Sequence, residues 1–160
     1  MDAPPTKPFT NLLDDPRVQL SAFLSGLGVV IFIVGAHPDW LGVASTPEVG
    51  FLQVIFMVGG MGVFATAGIA VMRLLWQGRP WSVVASIGAR IVGTGYVTLA
   101  AAVMADILGL GSQTWPSNAH FGPIQGYGML VGEAEMLVGL LLMYPYRWFS
   151  DRGGNEDGKP

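Results

Sequence analysis

The chain has 160 residues, 51% of them hydrophobic and 12% charged, with a formal net charge of −3 and no cysteine. Soluble domains carry about 25% charged residues, so this chain has too few polar side chains to cover a surface facing water. The acidic balance provides no basic footprint for nucleic acid. The absence of cysteine excludes disulfides, thiolate zinc sites, cysteine-held Fe–S clusters and covalent c-type haem.

The opening segment, MDAPPTKPFTNLLDDPR, has no basic stretch leading directly into an apolar one, and its prolines disfavour a helix. It does not read as a cleaved signal, and the first apolar span is expected to be retained. A membrane-crossing helix needs about 20 mainly apolar residues. Four stretches meet that length, at about 18–36, 51–72, 82–110 and 123–144. Asp15 is placed to cap the first and Pro16 suits its opening turn. Arg73 ends the second, the third is long enough to begin among the headgroups, and Pro145 with Arg147 ends the fourth. The expected fold is all-α: one polytopic membrane domain over 1–160, with flexible polar tails at 1–15 and 149–160. Short connections predict an up-down four-helix bundle.

Lys and Arg in the flanks set the expected orientation. Lys7, Arg17, Arg73, Arg79, Arg147, Arg152 and Lys159 all fall on one side of the spans, and the other two loops contain neither residue type. That side is expected to be cytoplasmic, with both termini there, in a bacterial inner membrane. Trp40 and Trp115 in the outer loops, and Trp76, Trp81 and Trp148 at the inner ends, fit the interfacial preference of amphipathic rings.

The second and fourth spans overlay without gaps: Gly50 on Gly122, Gln53 on Gln125, Met57 on Met129, Gly60 on Gly132 and Trp76 on Trp148. The first and third match more loosely, through Arg17 with Arg90, Phe23 with Tyr96 and Ser25 with Thr98. Two parallel helical-hairpin repeats are one reading; chance matching in apolar sequence is the other. Helix association in lipid depends on close packing and interhelical hydrogen bonds. Small residues are plentiful on the last three spans, Gly68, Gly88, Gly95 and Gly139 among them, and Gly59, Gly60, Gly62, Gly93, Gly122, Gly126, Gly128 and Gly132 are singled out as packing positions. Gly122–Gly126 and Gly128–Gly132 have the small-xxx-small spacing. Such faces pack within the bundle or dock a partner subunit, a lipid or a flat pigment.

Ionisable groups at membrane depth are the sharpest functional pointers. Arg90 lies in the third span, and Glu133 and Glu135 lie near the middle of the fourth. Two residues apart, the carboxylates project about 200° from each other, so they do not form a side-by-side pair. Glu135 is nearer the depth of Arg90, and an Arg90–Glu135 ion pair is the expected structural lock. Glu133 is then a candidate contact to a partner or cofactor, or a proton-handling group. His37 and His120, at outer helix ends, are candidate haem ligands or quinone contacts, or solvated loop residues. Asp106 is placed to bond His120.

Enzyme templates fare poorly. There is no phosphate-binding loop, HExxH, GxSxG or cysteine nucleophile, and the GGMG stretch lies inside an apolar span. Met57, Met61, Met129 and Met136 are expected to pack. No catalytic or metal-ligating residue and no cofactor is predicted; haem, quinone or pigment remain alternatives. In general form the chain resembles small four-helix accessory subunits of bacterial respiratory or photosynthetic complexes, a resemblance of architecture that implies no functional residue. The expected function is a non-catalytic structural or accessory subunit of an energy-transducing inner-membrane complex. Its expected partners are membrane lipids and other integral subunits. A haem- or quinone-binding membrane protein, or a small oligomeric transporter or channel, are the rival readings.

Overall fold

A computed structural model describes residues 13–42, 50–105, 108 and 122–146. Within them the chain forms helices α1 (Pro16–Ala36), α2 (Phe51–Leu75), α3 (Val83–Met104) and α4 (Pro123–Met143), and a short 3₁₀ turn over Pro38–Leu41. No strand occurs among the described residues. All four helices are long and apolar enough to cross a membrane. The described residues are therefore all-helical, and their four candidate spans mark a membrane protein.

Local chemistry sets the helix starts. The Asp15 carboxylate accepts from Arg17 N at 2.9 Å, and Pro16 occupies the first turn of α1. Ser82 caps α3 by accepting from Ala85 N at 3.0 Å. Helices α2 and α4 start alike. Gly50 N donates to Gln53 Oε1 at 2.7 Å, and Gly122 N donates to Gln125 Oε1 at 2.6 Å. Each is half of a capping box, because glycine has no side chain to return the bond.

One described boundary differs from the sequence expectation. Helix α2 continues to Leu75, so Arg73 lies in its last turn with its guanidinium 5.4 Å from the Trp81 ring centre. The described part of helix α3 runs to Met104, with Ala105 N closing a turn onto Ala102 O; the expected extension to 110 falls largely outside the described residues. Residues 149–160, and all of the first tail except 13–15, lie outside the described residues.

The helices pack chiefly in sequential pairs, α1 with α2 and α3 with α4. Both pairs run antiparallel at contacts where backbone meets backbone. A Cβ built on Gly28 would lie 2.5 Å from Phe64 N and 2.6 Å from Gly60 O, and one on Gly60 would lie 2.7 Å from Gly28 O. In the second pair, Gly88 and Gly139 face each other's carbonyls in the same way, as do Gly95 and Gly132. Lipid supplies no hydrophobic drive between helices, so dispersion at this range is a main source of attraction.

The pairs meet along one side of α2. Its Gly62 abuts the Tyr96 hydroxyl of α3, and Gly68 abuts Leu140 of α4. Trp76 Nε1 donates to Met143 O at 2.9 Å and ties the ends of α2 and α4. Val92, Leu99, Met136, Met57 and Met143 are the largest wholly buried side chains. The expected packing role of Met57, Met61 and Met136 is thus what the core shows.

Candidate functional site

The expected packing glycines divide into three groups. Gly60 and Gly132 sit at backbone crossings, Gly62 meets Tyr96, and Gly128 meets the Cβ of Ala102. Gly59, Gly93 and Gly126 have nothing within 4 Å of an added Cβ and face outward. Gly122 is the N-cap of α4. Of the two four-residue couples, Gly128–Gly132 therefore lies on the contact with α3 and Gly122–Gly126 does not. Gly28 with Gly35, Gly88 with Gly95, and Gly132 with Gly139 carry the contact stripe. Each couple is seven residues apart, the period that keeps one stripe on a neighbour crossing at a small angle. A search for glycines at that period would have found them.

The contacts also change the register of one overlay. Gly60 and Gly132, equivalent in the overlay of α2 on α4, have Gly28 and Gly95 as their partners. Packing thus aligns Gly28 with Gly95, a different register from Phe23 on Tyr96 or Ser25 on Thr98.

Arg90 and Glu135 are not brought together. Arg90 is exposed on α3, two residues from wholly buried Val92, which turns it about 200° from the core. Its side chain has no hydrogen-bond or ion-pair partner among the described residues, and its carbonyl accepts from Thr94 Oγ1 at 3.1 Å. Glu135 lies against Gly95 at the α3–α4 contact, where its Oε2 accepts from Thr98 Oγ1 at 3.3 Å. Depth along the helices was comparable, as expected. Rotation about the α3 axis keeps the two apart.

Glu133 occupies another face of α4, seven residues from Leu140 and seven from Gly126. Leu140 closes one side of a groove of about 280 Å³ whose other walls are Ala22, Ser25, Gly26 and Val29 of α1 and Phe64, Gly68, Val71 and Met72 of α2. The groove follows the seam where α1 and α4 fail to close on each other. Its lining is almost wholly apolar, and the Ser25 hydroxyl is spent on Phe64 O at 3.4 Å. Glu133 is the central residue of α4, half-buried, and its carboxylate has no hydrogen-bond or ion-pair partner among the described residues. A lone charge at such depth costs about 2.5–3.5 kcal/mol on insertion scales, a cost that a matching donor would offset.

A larger cavity, about 480 Å³, opens where α2 turns into α3 beside the end of α4. Trp76, Arg79, Pro80, Ser82, Tyr144 and Tyr146 line it. Nearer the opposite end of α4, Gln125 is 8% exposed, and its Nε2 has no partner among the described residues.

His37 is exposed just beyond α1, its ring stacked on Trp40 with centroids 5.2 Å apart. His120 and Asp106 lie outside the described residues. Among the described residues, no three His, Asp or Glu side chains gather as metal ligands would. None of the protein families, characterised proteins or solved structures compared with the chain matches it.

Proposed function

We propose that this protein is a non-catalytic structural or accessory subunit of a bacterial inner-membrane complex of the energy-transducing kind. The observation that supports this reading is a lateral surface left unfinished at membrane depth. Helix α1 buries only Val18, Gly28 and Gly35, an apolar groove stays open beside α4, and Arg90 and Glu133 lack partners among the described residues. Polar and ionisable groups inside a membrane usually face protein or a water-filled cavity, and small-residue faces usually carry helix contacts. A neighbouring subunit supplies both. In this reading the helices form an up-down bundle of two parallel hairpin repeats with both termini cytoplasmic. The matching glycine–glutamine starts of α2 and α4 favour the repeat, and the flanking basic residues favour the orientation.

Native-gel electrophoresis of gently solubilised membranes, followed by mass spectrometry, tests the assignment. Co-migration with a large electron-transfer complex is expected. Migration free of any other subunit would overturn it, and a Soret band in the purified protein would move the reading to haem binding. Reporter fusions after Gly78 and Lys159 should read cytoplasmic, and fusions near Ser45 and Ser117 external. A cytoplasmic signal at Ser45 would break the proposed topology.

A further inference from the structure

We propose that the seam between α1 and α4 receives α3 of a second copy of this chain, with Arg90 of one copy paired to Glu133 of the next. The two surfaces are complementary in shape. The outward face of α3 reads Ile87, Arg90, Thr94, Val97 and Ala101, all exposed and spaced three or four residues apart, a continuous stripe with the cation inside it. The seam offers small residues, Ala22, Ser25 and Gly26, beside Leu140, and Glu133, seven residues from Leu140, falls on the same face of α4 about two turns further along. They are also complementary in charge. Helices α3 and α4 carry Arg90, Glu133 and Glu135 as their ionisable Lys, Arg, Asp or Glu side chains. Glu135 is held by Thr98, so one cation and one carboxylate remain, each without a partner among the described residues.

Depth agrees as well. The crossings of Gly88 with Gly139 and Gly95 with Gly132 set Arg90 level with residue 137 of α4. Glu133 is four residues away, or about 6 Å along the axis, within reach of an extended arginine stem. Copies related by rotation about the membrane normal keep every residue at its own depth, so no tilt or slide is required. The contact is heterologous and closes into a ring or runs on, according to the rotation angle. Self-association here does not depend on membership of a larger complex. Co-migration reports on that complex, whereas disulfide trapping reports on the seam.

The chain has no cysteine of its own, so trapping is clean. The Gly28–Gly60 crossing and the contact of Gly62 with Tyr96 put Gly26 of α1 within about one turn of the level of Thr94 of α3, both on open faces. Chains carrying Gly26→Cys are coexpressed with chains carrying Thr94→Cys, and native membranes are oxidised. A disulfide-linked dimer is expected for this combination but not for Gly26→Cys with Thr66→Cys, which lies on the exposed face of α2. Arg90→Gln or Glu133→Gln should lower trapping several-fold, and exchanging the charges, Arg90→Glu with Glu133→Arg, should recover it. Equal trapping of Thr66, trapping indifferent to both charges, or crosslinking of Gly26 only to a different protein would overturn the proposal. The cysteine pair in the charge-intact chain decides the matter even where a charge variant fails to insert.

Discussion

The α3–α4 hairpin closes on itself through two reciprocal glycine crossings and a hydrogen bond from Thr98 to Glu135. The α1–α2 hairpin has one reciprocal crossing, Gly28 with Gly60, together with Gly35 against Met57 N and Ser25 against Phe64 O. The contrast extends outward. Helix α2 buries eight residues, two of them glycines, and serves both hairpins, whereas α1 buries three. Helix α1 is therefore held almost entirely by one neighbour and shows its remaining face outward, with Leu20, Phe23 and Val30 among the exposed side chains. Where water is absent, burial does not rank helices by hydrophobicity. Backbone proximity does, and it leaves one hairpin self-sufficient and the other half-covered.

The largest effect should come from filling a crossing in the tighter hairpin. Gly132→Leu would force a side chain into space bounded by Gly95 O at 2.5 Å and Leu99 N at 2.7 Å. Backbone cannot move aside as a side chain would, so the loss should reach the upper end of the overpacking range, about 3 kcal/mol or more. It is readable as reduced thermal stability in detergent. Gly28→Leu should cost somewhat less, about 2 kcal/mol, because α1 can separate from α2 without disturbing the core around Leu99 and Met136. If Gly28→Leu proved the more damaging, the ranking of the hairpins would be reversed.

Trp76→Phe tests the tie between hairpins. It removes the donor to Met143 O but keeps most of the ring, and about 1 kcal/mol should be lost. A smaller coupling is expected inside the second hairpin. In a double-mutant cycle, Thr98→Val and Glu135→Gln should couple by about 0.6 kcal/mol, the usual size for interhelical hydrogen bonds in lipid. Arg90→Met and Glu135→Gln should be additive within about 0.5 kcal/mol; strong coupling there would restore the ion pair that the geometry denies. Smallest of all, Gly59→Leu and Gly93→Leu, both on open faces, should change stability by no more than about 0.5 kcal/mol.

Much was legible from composition and pattern alone. The four spans, the Asp15 cap, Pro16 in the first turn and the helix start at Pro123 follow from apolar length and local stereochemistry. Each is a property of neighbours in sequence, and no tertiary contact is needed to impose it.

What the tertiary structure alone decided is the rotation of each helix about its own axis. Uniformly apolar spans carry little amphipathic pattern, so depth can be read from sequence but facing cannot. That is why Arg90 and Glu135, matched in depth, do not meet, and why Gly59, Gly93 and Gly126 face outward while Gly88, Gly95 and Gly139 lie at the crossings. The deciding term is steric. Two helix backbones come this close only where neither bears a Cβ, and the seven-residue couples of glycine turn those faces inward and leave Glu133 on a different face of α4, the one that carries Leu140.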